Sequence, residues 1–422
     1  MRAEPENALG APQAALPRRA LAGSAAGKAL EALTLAGLVL LVPRTLGPAD
    51  YGAFAVALAV ATGIATATGI GGPALFARVL GPLDAVQRRA QGRALVRRLG
   101  AVRAAAVAAL VAIGAVATAL APGSVSPLQI ALVLAAIGLG TAATLLSQLA
   151  LGLQRTTAWS LRYPLENGVI VLGALVLYPI AGIDGALAAI ALGAAAALVL
   201  GAATAGRAVV GDRSTSKLPA GVLRFARLQA AGGALTQAVH RGAAPACALL
   251  GVGAAATGHA AIAAGAALAI TYAVTQTTLV ALPGAARAFA GGDIQPAEAS
   301  LRRVSALAAI VVVPTCALLA LFAEPLLAAG LGEGFGDAAQ PLRIALAAAA
   351  LAPLWALSTQ LAALRNRPEA VLAGAAAGTA AFVAVAALTL AGAGASGAAA
   401  AMLAGVATTI AGTFAALQTR PT

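Results

Sequence analysis

Arg241 and His240 stand in the middle of an apolar stretch that runs over residues 228–250. An arginine at the centre of a bilayer costs about 2.5–3.5 kcal/mol on insertion scales, so an ionisable pair at that depth marks a site where something offsets the cost. Two arrangements do so: an anionic ligand met in a water-filled cavity, or a structural arginine held by a carboxylate or by backbone carbonyls. Lys28 and Glu31, three residues apart, fall on one helix face and can pair; the functional alternative has Lys28 receiving an anion at the membrane edge. Arg44 and Arg343 lie at the ends of apolar runs whose flanking loops are otherwise poor in base. Interfacial snorkelling accounts for them, as does a release site for an anion. Tyr272, Thr275, Gln276 and Thr278 share one run, with Tyr272 and Gln276 one turn apart. That face can bond ligand hydroxyls or a neighbouring helix.

The same residues exclude other chemistry. The two histidines, His240 and His259, lack companion ligands, and Cys247 and Cys316 fall inside apolar runs as plain core residues. No metal site, zinc site or disulfide is expected. There is no G-x-x-x-x-G-K-[ST] motif to hold ATP. Membrane glycosyltransferases and polymerases need catalytic side chains in sizeable extracytoplasmic loops, and the loops here are short. The chain reads as no enzyme, with no cofactor.

The elements that position these residues follow from composition. Of 422 residues, 61% are hydrophobic and 10% charged, with mean hydropathy +0.92; soluble domains carry about 25% charged residues. The runs are rich in Ala and Gly and poor in aromatics, which suits closely packed helices rather than the alternating segments of a membrane barrel. The class is an all-α polytopic membrane protein. Runs long enough to cross a bilayer fall at 22–42, 51–75, 101–120, 128–151, 164–180 and 185–205, then at 228–250, 258–282, 304–321, 342–364, 371–390 and 398–417. That is about twelve transmembrane helices. Residues 1–20 read as a disordered cytosolic tail, 21–206 as one six-helix bundle, 207–222 as a cytosolic linker and 223–418 as a second bundle. The first 17 residues have no apolar core and are not a cleaved signal peptide.

Alternate loops carry the bases: Arg78 to Arg103; Arg155 and Arg162; Arg207 to Arg227; Arg287, Arg302 and Arg303; Arg365 and Arg367. The intervening loops are nearly free of base, and the longest holds Glu324, Glu333 and Asp337. The positive-inside rule then places both termini in the cytosol. It accounts for most of the net charge of +13 without a nucleic-acid partner.

Internal repetition sets the architecture. Gly47-Pro48-Ala49-Asp50-Tyr51-Gly52 and Gly253-Ala254-Ala255-Ala256-Thr257-Gly258 share the pattern G-x-A-x-x-G, each between two apolar runs. Asp184-Gly185-Ala186 and Ser396-Gly397-Ala398 recur at a similar offset, each before the last run of a half. Two homologous six-helix halves imply a parallel repeat about an axis along the membrane normal, with a substrate site between them.

The run Val42-Pro43-Arg44-Thr45-Leu46-Gly47-Pro48-Ala49-Asp50-Tyr51-Gly52-Ala53-Phe54-Ala55 resembles the first-loop motif of bacterial polysaccharide flippases, the O-antigen (Wzx-type) exporters of the multidrug/oligosaccharidyl-lipid/polysaccharide (MOP) superfamily. Leu223-Arg224-Phe225-Ala226, the stretch from Gly334-Phe335-Gly336-Asp337 to Ile344, and residues 361–368 extend the likeness over nearly the whole chain. The resemblance implies a V-shaped pair of six-helix bundles around a central cationic cavity, in a bacterial inner membrane. It implies transport of undecaprenyl-pyrophosphate-linked sugars from the cytosolic to the outer leaflet. The partners it implies are the lipid-linked glycan, membrane lipids, and the polymerase and glycosyltransferases of the same pathway. Related proteins often carry Arg-Leu-Asp where this chain has His240-Arg241-Gly242; the missing acid leaves Arg241 freer to meet an anion. Arg241, His240, Lys28, Arg44, Arg343, Tyr272 and Gln276 are the expected substrate contacts. The alternatives are an ion-coupled cation antiporter of the same superfamily, disfavoured by the scarcity of membrane acids apart from Glu31 and Glu166, and a non-transporting scaffold for glycosyltransferases.

Overall fold

The computed structural model describes residues 18–68, 83–120, 126–210, 222–278 and 291–419, with 75–76, 79–80, 281–282, 285 and 288–289 between them. Among these residues the secondary structure is helical, without strands. The first half holds α1 (Arg18–Ala67), α2 (Ala85–Leu120), α3 (Pro127–Gly152) and α4 (Thr156–Gly201), the last extended by a π-helical turn, Ala202–Gly206, and by Arg207–Val209. The second half holds α5 (Val222–Arg241), α6 (Ala243–Leu249), α7 (Ala254–Thr278), α8 (Ile294–Leu321), α9 (Ala323–Leu331), α10 (Ala339–Ala350), α11 (Ala352–Leu364) and α12 (Pro368–Gln418).

Among the described residues seven helical segments are long and apolar enough to cross a membrane. Three of them, within α1, α4 and α12, cross twice, and each reverses at a glycine with positive φ: Gly47 (72°), Gly182 (57°) and Gly394 (52°). Only glycine adopts such a backbone at no steric cost. With those three counted twice, α2 and the consecutive pair α5–α6 complete the twelve expected crossings. The chain is a multi-pass membrane protein of the expected class.

The repeat seen in the sequence is built into these reversals. A Cβ on Gly185 would overlap the carbonyl of Leu177, and one on Gly397 would lie 2.8 Å from the carbonyl oxygen of Thr389. Each motif glycine therefore lets the two limbs of its hairpin meet backbone to backbone, and the contact recurs at the same offset in α4 and α12. Small residues also set the spacing along α12, where Gly374 and Gly378 receive Thr413 and Thr409 of the opposite limb. In a bilayer, where apolar burial drives little, such close approach gains its stability from van der Waals packing.

Two boundaries differ from the sequence reading. The run at 228–250 is two helices, because Pro245 has no N–H to give the carbonyl of Arg241, so α5 ends at that arginine. The longest base-poor loop is largely helical: it forms α9 and a 3₁₀ turn, Glu333–Ala338. The expected tail and linker lie mostly outside the described residues.

The largest apolar core joins the halves, from Val42, Phe54 and Ile170 to Val239, Leu346 and Phe382. α1 makes the main contacts across, against α7 and α5. At the arginine-rich end there are two smaller clusters: Leu80, Leu95 and Leu149 of the first half packed with Ala226 at the start of α5, and Leu301, Leu361 and Leu417 within the second half. Beside the second, Glu298 accepts from Arg365 through Nε at 2.8 Å and Nη2 at 2.5 Å, and from Arg302 at 3.2 Å. The carboxylate is nearly buried while Arg302 is well exposed. Glu298→Gln is expected to lower unfolding stability by about 2 kcal/mol, as for a lost charge-assisted hydrogen bond. Thermal unfolding in detergent measures it, and an unchanged midpoint would show that solvent screening leaves the pair without weight.

Candidate functional site

The two G-x-A-x-x-G motifs, remote in sequence, dock on each other. A Cβ on Gly52 would sit 2.5 Å from the carbonyl oxygen of Ala254 and 2.9 Å from the amide nitrogen of Gly258; a Cβ on Gly258 would overlap the carbonyl of Pro48. The contact is reciprocal. The sixth residue of each motif rests on the second residue of the other, as in an isologous interface. Gly47 and Gly253, the first residues, both have positive φ, 72° and 106°, which turns each chain into the contact. Phe335, buried in the 3₁₀ turn, lies edge-on to Tyr51 and to His259 at ring-centroid distances of 6.4 and 6.0 Å. His259 Nε2 lies 3.2 Å from the Gly334 carbonyl oxygen and donates to it in the tautomer protonated there. These groups seal the gap between the halves at the arginine-poor end.

Behind the seal, between the halves, lies a cavity of about 480 Å³. α1, α3 and α4 line one side and α5 and α7 the other. Its charged residues, among those described, are Arg162, Arg241, Glu31 and Glu166. The lining is therefore balanced, two bases against two acids, where the resemblance implied a net cationic surface. The acids were read as scarce because only two lie inside apolar runs; both of those two point into this cavity.

The partners of each charge distinguish them. Arg162 donates to Thr144 (2.8 Å) and Ser147 (3.4 Å) of α3 and pairs with Glu166 one turn along its own helix (3.4 Å). Glu31 accepts from Tyr272 of α7 at 2.7 Å, a hydrogen bond from half to half. Arg241 donates through Nε to Gln237 at 2.8 Å and through Nη1 to Thr62 of α1 at 3.2 Å. The described residues place no carboxylate within 4 Å of it. Its position at the end of α5 adds the partial negative charge of a helix C-terminus, which together with two neutral acceptors holds the guanidinium without neutralising it. Around it stand four amides, Gln148, Asn167, Gln229 and Gln237, and the polar-tipped rings of Trp159, Tyr163 and Tyr272.

Arg241 and Tyr272 are the expected contacts that the structure brings together here. His240 points the other way: it is buried against the ring of Trp355, centroids 5.3 Å apart, and does not line the cavity. Consecutive residues on a helix project about 100° apart, so only one of the two can face the gap. Arg343 donates to the carbonyl of Ala320 near the end of α8 at 3.1 Å, and Arg44 is exposed; both lie away from the cavity. The side chains of Lys28 and Gln276 lie outside the described residues.

Sequence reasoning missed two arginines by counting them as loop charges. Arg162 is 5% exposed, and Arg103 is 2% exposed and donates to Gln148 at 2.8 Å from behind the cavity wall. Signals for both existed. Arg162 stands four residues before Glu166, one helical turn, and Arg103 lies within the run at 101–120 rather than before it.

No protein-family model matches the sequence, and no curated protein matches it. Solved structures do. The lipid II flippase MurJ in an inward closed conformation has a TM-score of 0.67 at 10% identity, over 96% of this chain and 88% of that one. A multidrug-resistance MATE transporter of the MOP superfamily matches in its inward-facing conformation with a TM-score of 0.62 at 15% identity, over 92% and 93% of the two chains. An outward-facing multidrug-resistance MATE transporter gives a TM-score of 0.60 at 17% identity, over 95% of each chain. The fold is that of the MOP-superfamily transporters. The two halves meet at one end through the docked turns, and the cavity lies between them behind that contact.

Proposed function

We propose that the protein moves an anion-bearing, lipid-linked saccharide from the cytosolic to the outer leaflet, with the arginine-rich end in the cytosol and the two halves opening alternately. The observation that carries this reading is Arg241. It is a guanidinium at mid-chain depth in the membrane, aimed into the cavity and held by neutral partners, so its charge remains available to a phosphate, to which arginine bonds bidentately. The amides and aromatic tips around it suit sugar hydroxyls and sugar faces. The seal closes the arginine-poor end, so on this reading cargo enters the cavity from the cytosolic side. Polymerase and glycosyltransferases of the same pathway are the partners this reading implies.

A second reading has its own observation. Glu31 and Glu166 face the same cavity, and membrane carboxylates are the groups that a cation antiporter requires. Cells lacking the protein separate the two. On the flippase reading, extraction and mass spectrometry find an accumulated polyprenyl-pyrophosphate glycan and surface polysaccharide is lost. Unchanged lipid intermediates together with raised sensitivity to cationic drugs would overturn it in favour of the antiporter.

A further inference from the structure

A second and larger cavity, about 750 Å³, lies on the flank of the seal. It runs along the second limb of α1 from Asp50 to Ile64, about 20 Å at 1.5 Å per residue, and continues between α2, α3 and the second limb of α4. Its walls are apolar, with Val56, Val60, Val133 and Ile137 typical of them. Its volume is that of a small-molecule or cofactor site, and its shape is a slot about two thirds as deep as the roughly 30 Å hydrocarbon core is thick. The polar groups gather at the seal end. Among the described residues Asp50 is the one charged residue of the lining. Its Oδ2 accepts from Tyr178 at 2.7 Å, while no described donor meets Oδ1. Gln129 beside it donates to Asp184 at 2.8 Å, which sets a second carboxylate at the same end.

We infer that this slot binds a membrane lipid with a primary-ammonium headgroup, chain in the slot and ammonium at Asp50. The charge decides the class of ligand. Asp50 in the lining, with Asp184 behind Gln129, repels a headgroup of net negative charge, so the slot does not suit the tail of the proposed anionic cargo with its pyrophosphate at this end. The ammonium of a zwitterionic headgroup, by contrast, offsets its own phosphate. An ammonium supplies the donor that Oδ1 lacks and a positive charge for both acids. The slot also belongs to both halves. Gly52, Gly253, Ala254 and Thr257, which form the seal, line it as well. A chain lying there touches both halves only while the seal is closed. It therefore binds the sealed state better and shifts the equilibrium toward it.

The test is lipid retention by the full-length protein, purified in detergent with equal amounts of phosphatidylethanolamine and phosphatidylglycerol and read by native mass spectrometry. The expected result is a preference for phosphatidylethanolamine of about fivefold, equal to ~1 kcal/mol at 1.4 kcal/mol per tenfold. That preference vanishes in Asp50→Asn, a change of charge with no change of volume, and retention of both lipids falls in Val133→Trp, which fills the slot. Equal retention of the two lipids by the unaltered protein overturns the proposal, as does an undiminished preference in Asp50→Asn. If Val133→Trp fails to fold, Asp50→Asn alone decides. Asp50-dependent binding of tetraphenylphosphonium without retained phosphatidylethanolamine would make the occupant a lipophilic cation and overturn the lipid. None of these outcomes depends on what the central cavity carries.

Discussion

Arg241→Gln is expected to lower the transport rate by roughly 10- to 150-fold, the loss that follows from about 1.5–3 kcal/mol for a hydrogen bond to a charged group. The measurement is flipping of a lipid-linked saccharide in proteoliposomes, with protein incorporated at equal density. The amide nitrogen of glutamine stands where Nε stood and can still bond Gln237, so the variant keeps the polarity of the wall and removes the charge and the outer nitrogens. Because an arginine in the membrane interior is costly to place, its loss leaves the thermal midpoint unchanged or raises it. That outcome separates a transport defect from a folding defect. Arg241→Lys keeps the charge but replaces the guanidinium fork by a single ammonium, which cannot give Gln237 and Thr62 their bonds at 2.8 and 3.2 Å and also hold a phosphate bidentately. It is expected to fall between the two. Full activity in Arg241→Gln would sink the assignment of this residue, and a lowered midpoint with proportionate loss of transport would reassign it to structure.

The fold was largely legible because a bilayer leaves the chain few choices: length and apolarity alone locate the spans. The G-x-A-x-x-G repeat was legible too, as was its consequence, two like halves. What it did not disclose is that the motifs touch, since docking of one half on the other depends on tertiary geometry that no local pattern encodes. The site was legible in part. Arg241 and Tyr272 stood out as polar residues within apolar runs, and both face the cavity. His240 stood out for the same reason and faces away, because depth in a run fixes the level of a residue and not its azimuth. Arg103 and Arg162 were hidden by the rule that found the topology. A base near the end of a run is usually a loop charge, and only the packing of α2 and α4 against the hydroxyls and amide of α3 turns these two inward.

The seal leads to the other large effect. Gly52 and Gly258 each sit where a side chain would overlap the backbone of the opposite motif, and backbone, unlike a flexible side-chain tip, has no rotamer by which to yield. Gly258→Val is therefore expected to force the motifs apart, at the cost of about 1–3 kcal/mol that overpacking carries. That energy falls on the sealed state alone, so the ratio of sealed to open protein drops by roughly 5- to 150-fold. A cysteine placed at Thr62, which lines the cavity behind the seal, reports it through its labelling rate with a membrane-impermeant maleimide added from the outer side. Labelling is slow in the parent and rises by roughly fivefold or more when Gly258→Val is added. The reciprocity of the contact makes the sharper demand. Gly52→Val acts from the other half on the same interface, so it must raise the labelling to a similar degree, and the two changes together must add little, because one already opens what the other would open. Equal labelling with and without either change would mean that the motifs touch without closing the path. Additive effects from the pair would mean two separate barriers rather than one shared seal.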